Sequence, residues 1–196
     1  MVERFVNRLT DRIIAENNVS EDMREWYIYS FLHIVETSIS TITLLLVGLI
    51  TGRMIPVGLL CLFFIVLRSK TGGFHCEKFL TCYLGTVLCV VAIEIVETLL
   101  RENTVAFYSL LGVAMLIVFY LGTVNHPNMD LSTAELIKSK RLARIILVIE
   151  AGLIIFMDYI GAERVIVNYM IMAVVLCAIM MLTAKIKNQE VIKYER

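Results

Sequence analysis

Six long runs of apolar residues, separated by short polar stretches, dominate the chain. They cover residues 33–50, 54–67, 79–97, 104–122, 145–160 and 165–184. Most approach the ~20 residues that a helix needs to cross the ~30 Å hydrocarbon core of a bilayer. The pattern therefore predicts an all-α, polytopic helical membrane protein with about six transmembrane helices. The second run is short, because 14 residues cover only about 21 Å, and Pro56 lies near its start. We expect it to be tilted or part of a re-entrant hairpin.

The residues before the first run have a different pattern. Apolar side chains such as Val6, Leu9 and Ile13 recur every three or four residues between charged ones. This spacing predicts an amphipathic helix over residues 1–17 that lies in the membrane interface or packs on a partner. Ser20 and the acidic pair after it are typical of a cap for the next helix. We predict one domain over residues 1–196, with amphipathic helices in 1–30, a transmembrane bundle in 31–184 and a cytoplasmic tail in 185–196.

Charge gives an independent test of this layout. If the N-terminus is cytoplasmic, all of the 18 basic residues except Arg53, Arg101 and Arg164 fall in cytoplasmic segments. The positive-inside rule favours that arrangement, so both termini are predicted to be cytoplasmic. The apolar fraction of 59% and the mean hydropathy of +0.80 exceed the values of a soluble domain. The net charge of zero does not support a nucleic-acid partner.

A polar break between the second and third runs carries the candidate chemistry. It contains Arg68, Gly72, Gly73 and His75, and Cys82 follows at the start of the third run. Imidazole and thiol are the base and nucleophile that acyl transfer requires. A straight helix through both would separate them by about 10.5 Å. We therefore expect the helix to start after His75 and to hold Cys82 in its early turns, where the helix dipole and nearby basic residues favour a thiolate. Contact across a homodimer is the alternative.

Other cysteines and histidines are weaker candidates. Cys76 is the alternative nucleophile, although neighbouring side chains tend to point apart. A zinc site that combines these residues with His126 lacks compact ligand spacings, so we predict no metal and no cofactor. Small buried hydrophobes are the expected role of the remaining cysteines, Cys61, Cys89 and Cys177.

Two further features lie in or near the apolar runs. Ser132 and Glu135 match a capping box, which predicts a helix that starts after Ser132. Acids in the runs are costly and are candidates for function or transport, but pairing with Ser, Thr or Tyr is the simpler account. Of these acids only Glu94 is expected to lie deep, and the others near the ends of their runs: Glu36, Glu97, Glu150 and Asp158.

The spacing of Arg68, Gly73, His75 and Cys82 resembles the signature of the AgrB family, the accessory gene regulator membrane endopeptidases of Gram-positive quorum sensing. The chain length, the N-terminal helix, the six runs and Pro127-Asn128 after the fourth run also fit that family. The resemblance covers nearly the whole chain.

The resemblance implies a cysteine endopeptidase at the cytoplasmic face of the cell membrane. Its partners would be membrane lipid and an amphipathic propeptide of the AgrD type, which it cuts near the C-terminus and helps to close into a thiolactone or lactone. Cys82 would be the nucleophile and His75 the base. Arg68 would hold an acidic substrate tail or anchor its loop. Further support would come from glycines and basic residues at Gly72, Gly73, Lys138, Lys140 and Arg141. A small transporter or peptide exporter is the alternative function.

Overall fold

Helices make up nearly all of the computed structural model, which describes residues 2–17, 24–74, 79–125 and 131–189. They are α1 (Val2–Asn17), α2 (Arg24–Ile50), α3 (Met54–Thr71), α4 (Phe79–Leu100), α5 (Thr104–Leu121), α6 (Thr133–Tyr159) and α7 (Arg164–Ile186). Within these ranges there is no strand, and a single parallel bridge joins Gly72 to Val124. The all-α fold class is confirmed.

Five of the described helices are long and apolar enough to cross a bilayer. They are Ser30–Ile50 within α2, then α3, α4, α5 and α7. This confirms a multi-pass membrane protein. The run at 145–160 lies in α6, which as a whole is less apolar than the other five because its first half is rich in charged residues; Arg144, Glu150 and Asp158 lie beside or within the run. Six spans and cytoplasmic termini remain predictions.

The first compact unit comprises Met1–Leu44. Val6 and Thr10 are buried while Arg8 and Asp11 are exposed, so α1 has the amphipathic form that its sequence predicts. Asp11 forms an exposed ion pair with Arg24, the first residue of α2, at 2.8 Å. The predicted cap at Ser20 lies outside the described residues.

The second compact unit comprises Leu45–Arg196 and is built around α7. Helices α3, α4, α5 and α6 all pack against α7, and its residues from Val167 to Ala178 are buried without a break. A helix that is apolar on every side is stable in this central position because its neighbours cover all its faces. By contrast, α4 buries few residues in the unit.

The start of α6 and the end of α3 can each be compared with the sequence prediction. α6 begins at Thr133 behind the complete Ser132–Glu135 capping box, as predicted. α3 continues to Thr71, so the expectation of a 14-residue span was wrong. Its 18 residues rise about 27 Å, close to the bilayer core. Pro56 is tolerated because an N–H in the first turn has no acceptor within the helix.

Candidate active site at the end of α3

The chain leaves α3 through residues 70–74, here called the α3 exit, and this segment lies against three other helix ends. Gly72 ends the helix with a φ of 62°, and the main-chain N–H of Val124, just after α5, donates to the Thr71 carbonyl at 2.8 Å. The Lys70 carbonyl accepts from Thr123 at 2.9 Å and from Ser139 of α6 at 3.0 Å. The exit backbone is thus tied to α5 and α6.

Phe74 is the last described residue of this segment. Its N–H donates to the carbonyl of Met180 in α7 at 3.0 Å, and its own carbonyl accepts from the Arg68 guanidinium at 2.5 Å. Arg68 also donates to the Gly72 carbonyl. The main chain of Phe74 is thus held on both sides, by the Met180 carbonyl and by the Arg68 side chain.

Gly73 is required by this arrangement. Its φ of +125° is one that residues with a Cβ rarely adopt, and a Cβ there would overlap the Arg68 guanidinium. The same Cβ would lie 3.2 Å from the main-chain carbon of Met180. The absence of a side chain at Gly73 therefore lets the arginine and α7 approach the backbone closely.

Cys82 lies in the first turn of α4, which begins at Phe79. This agrees with the prediction that the helix starts after His75. The residue is half-buried, its carbonyl accepts from Thr86 at 2.9 Å, and its sulfur is within electrostatic range of the Arg68 guanidinium. Cys82 therefore lies at the N-terminal end of α4, on the side of the molecule that holds Arg68.

The opposite end of the second unit is held by ion pairs. We call it the ion-pair end, and it carries Arg53, Arg101 and Arg164. Glu97 is fully buried and accepts from Arg101 at 2.7 and 2.9 Å. Arg53 approaches the same carboxylate at 3.1 Å. The carboxylate raises the pKa of the Arg101 guanidinium, first through the hydrogen bonds and then through its charge.

The other acids at this end also have partners. Glu94 accepts from Thr51 at 2.9 Å, and Asp158 accepts from Tyr108 at 2.8 Å and from Arg164 at 2.7 Å. Because Thr51 lies in the turn after α2, Glu94 lies at the ion-pair end. The expectation from the sequence that Glu94 lies deep in the membrane was therefore wrong. Pairing with Thr or Tyr holds for Glu94 and Asp158, whereas Glu97 uses arginine.

The family model of accessory gene regulator B (AgrB) matches residues 6–184. The chain belongs to the AgrB family. No curated protein and no solved structure matches it. Membership supports a quorum-sensing accessory gene regulator protein, and the family is known for cysteine protease-like processing of propeptides of the AgrD type.

Several of the expected site residues of this AgrB-family chain lie outside the described ranges. They are His75, Cys76, His126 and the Pro127-Asn128 pair. The contact between His75 and Cys82 therefore stays a prediction, as does the choice between Cys76 and Cys82. Among the described residues, no group of three His, Cys, Asp or Glu side chains is placed to hold a metal ion.

The remaining cysteines largely behave as expected. Cys61 is buried, and so is Cys177, whose thiol donates to the Phe64 carbonyl at 3.7 Å. Cys89, two turns beyond Cys82 on α4, is half-buried. Cys89 is therefore a well-matched comparison for Cys82, because both lie on one helix with similar exposure.

The basic residues of α6 differ in their surroundings. Lys138 and Arg141 are exposed, whereas Lys140 is half-buried. A Cβ on Gly122, which has a φ of +68°, would lie 2.9 Å from the Lys140 Cγ. The stem of Lys140 thus packs on the end of α5. Sequence reasoning did not single out Arg144, whose guanidinium lies 5.1 Å from the Phe119 ring centroid and donates to the Phe119 carbonyl at 3.0 Å.

Glu150 is the exception among the acids. It is only 4% exposed, and neither carboxylate oxygen has a hydrogen-bond partner among the described residues. Along α6 it lies about 16 Å from Ser139 and about 12 Å from Asp158. Glu150 therefore lies in the second half of α6, and its position near the inner end of a membrane span stays a prediction.

Proposed function

We propose that this protein is a membrane cysteine endopeptidase that cleaves an AgrD-type propeptide near its C-terminus and promotes closure of the released end into a thiolactone or lactone. The observation that carries the proposal is Cys82, a half-buried thiol in the first turn of α4 within electrostatic range of Arg68. Membership of the AgrB family supports the substrate class.

The first chemical step forms an acyl-enzyme. The Cys82 thiolate attacks the scissile carbonyl carbon, the C–N bond breaks, and the imidazolium of His75 donates its proton to the departing amine. The product of this step is a thioester between Cys82 and the substrate. Oxyanion stabilisation is required here, and main-chain N–H groups near the nucleophile are the donors that we propose.

The second step closes the ring. A Cys or Ser side chain of the substrate attacks the thioester carbonyl, the bond to the Cys82 sulfur breaks, and His75 takes the proton of the attacking group. Thiolate and imidazolium are thereby restored. Exchange between thioesters is close to energy-neutral, so an attacking group held nearby must outcompete water. Effective molarities on the order of 10⁵ M or more for well-oriented groups make this feasible.

Support for the substrate comes from the same end of the molecule. Lys138 and Arg141 are exposed in the first turns of α6, and Ser139 between them is bonded to the α3 exit. We propose that these cations attract acidic residues of the propeptide, and that the half-buried Lys140 contributes more to packing. The amphipathic leader would lie in the interface beside the amphipathic α1.

Cleavage of propeptide by purified variants in proteoliposomes tests the nucleophile. Cys82→Ala and His75→Ala are expected to abolish cleavage, while Cys89→Ala, the matched control on the same helix, retains it. Capture of the propeptide fragment on Cys82 as a hydroxylamine-sensitive adduct, located by mass spectrometry, would identify the thioester.

Two results would change the proposal. Full cleavage by Cys82→Ala together with loss in Cys76→Ala would move the nucleophile to Cys76. Complementation between Cys82→Ala and His75→Ala subunits would place the pair across a homodimer. Normal processing by every one of these variants would rule out the endopeptidase.

A transporter without covalent chemistry is the second candidate, and one observation bears on it. Glu94 is bonded to Thr51, whereas Glu150 is buried without a described partner. An intramembrane acid of this kind is a candidate for proton or ion coupling. Peptide flux into vesicles without any cleaved product, lost in Glu150→Gln, would favour transport.

A further inference from the structure

The guanidinium of Arg68 is occupied by the protein's own backbone. It stands in the last turn of α3 and donates to the carbonyls of Gly72 and Phe74. Carbonyls at a helix C-terminus lack partners within the helix, and a cation there also complements the helix dipole. The side chain therefore serves the α3 exit, and an acidic ligand would have to displace main-chain acceptors from it.

The segment that Arg68 holds is also fixed from the other side. The Phe74 N–H bonds to Met180 of α7, and Thr71 bonds to Val124 after α5. Gly73 has no side chain where the guanidinium passes, and its backbone conformation disfavours any other residue. Arg68, the glycine and α7 thus determine together where Phe74 lies.

We propose that Arg68 is a positioning residue, which fixes the backbone of Phe74 and hence the point from which His75 continues the chain, and that it is not a binding site for an acidic substrate tail. This inference rests on the proposed endopeptidase function, because it assigns the held segment a role in catalysis. The same guanidinium lies within electrostatic range of the Cys82 sulfur. One arginine would thus act on the base through the backbone of Phe74 and on the nucleophile through its charge.

Arg68→Lys is the informative variant. Lysine keeps the positive charge, but a single ammonium on a flexible stem cannot reproduce the fork that reaches two carbonyls. A misplacement of about 1 Å costs on the order of 100-fold in rate. We therefore expect kcat for propeptide cleavage to fall about 100-fold, with KM within about twofold of wild type. Arg144→Lys is the matched control, since Arg144 is a basic residue at the same end that bonds the Phe119 carbonyl instead.

Substrate tails separate the two roles of Arg68. Wild type and Arg68→Lys are assayed on a propeptide with its acidic tail and on one whose tail carboxylates are converted to amides. A positioning role predicts the same fall in kcat for both. A rise in KM confined to the acidic tail, with kcat unchanged, would overturn the proposal in favour of tail binding.

Amide hydrogen exchange tests whether Arg68 holds the backbone of Phe74, independently of the cleavage reaction. In Arg68→Lys the Phe74 amide, which bonds Met180, is expected to exchange at least tenfold faster, while the Val124 amide changes less. Equal exchange in variant and wild type would refute the positioning role even if cleavage is lost. If Cys82, Cys76 and His75 can each be replaced by alanine without loss of cleavage, the endopeptidase proposal fails, yet exchange still reports on Arg68.

Discussion

Replacement of Glu97 by glutamine isolates the contribution of the ion-pair end to stability. The Glu97 side chain is fully buried and meets Arg101 at 2.7 Å and Arg53 at 3.1 Å. Glutamine keeps the shape but removes the charge, so its amide group would face guanidinium donors. Arg53 and Arg101 would then lose the counter-ion that they share.

The size of the effect follows from exposure. Removal of one partner from a buried pair costs about 3–5 kcal/mol. The Arg101 side chain is 40% exposed and that of Arg53 is 20% exposed, so water relieves part of the penalty. We therefore expect the free energy of unfolding to fall by about 3 kcal/mol. Arg101→Gln should cost only about 1 kcal/mol, because Glu97 keeps Arg53 and exposed pairs contribute little.

The assay is reversible unfolding of the purified variants in mixed micelles, paired with cleavage per folded molecule. Glu97 and Cys82 lie on one helix about 22 Å apart, so cleavage per folded molecule should stay within about twofold of wild type. Two results would refute the reasoning: a loss below about 1 kcal/mol for Glu97→Gln, or a larger loss for Arg101→Gln than for Glu97→Gln.

Four further substitutions differ in the sign of their expected effect on stability. Gly73→Ala should lower the free energy of unfolding by about 1–3 kcal/mol through backbone strain and reduce cleavage. Gly85→Ala, the control, should be neutral or stabilising because a Cβ there meets nothing within 4 Å. Equal unfolding midpoints for the two variants would contradict this. Glu150→Leu should raise the unfolding free energy by about 1–3 kcal/mol, because it removes a buried carboxyl that has no hydrogen-bond partner among the described residues, and a fall would show that Glu150 has one. Ser132→Ala should cost about 1 kcal/mol and speed exchange of the Glu135 amide, and unchanged exchange there would argue against the cap.

Local signals in the sequence predicted local structure well. The capping box correctly predicted that α6 starts at Thr133. The apolar runs correctly located the helices, because a helix that is buried in lipid or protein needs apolar side chains. The end of α3 was misjudged since Arg68 and Lys70 read as loop residues, although long basic side chains can extend a helix end into the interface.

Contacts between distant residues could not be predicted. Glu97 and Arg53 are separated by two helices, and no periodicity indicates that they meet. Sequence identified Arg68 as a site residue, but its two main-chain partners depend on the turn at Gly72 and Gly73. The His75–Cys82 pair remains a prediction.

The anchoring of Phe74 means that a connection of set length joins a fixed point of the backbone to the helix that carries Cys82. Phe74 is held at its N–H and its carbonyl, and α4 begins only five residues later, at Phe79. Five peptide units reach at most about 18 Å, so an insertion or deletion here would shift the start of α4 and Cys82 with it. The connection from Asn125 to Leu131 is different, because the Asn125 side chain bridges its two ends at 3.0 and 3.1 Å. Chimaeras with other family members should therefore accept length changes between Asn125 and Leu131 and reject them between Phe74 and Phe79.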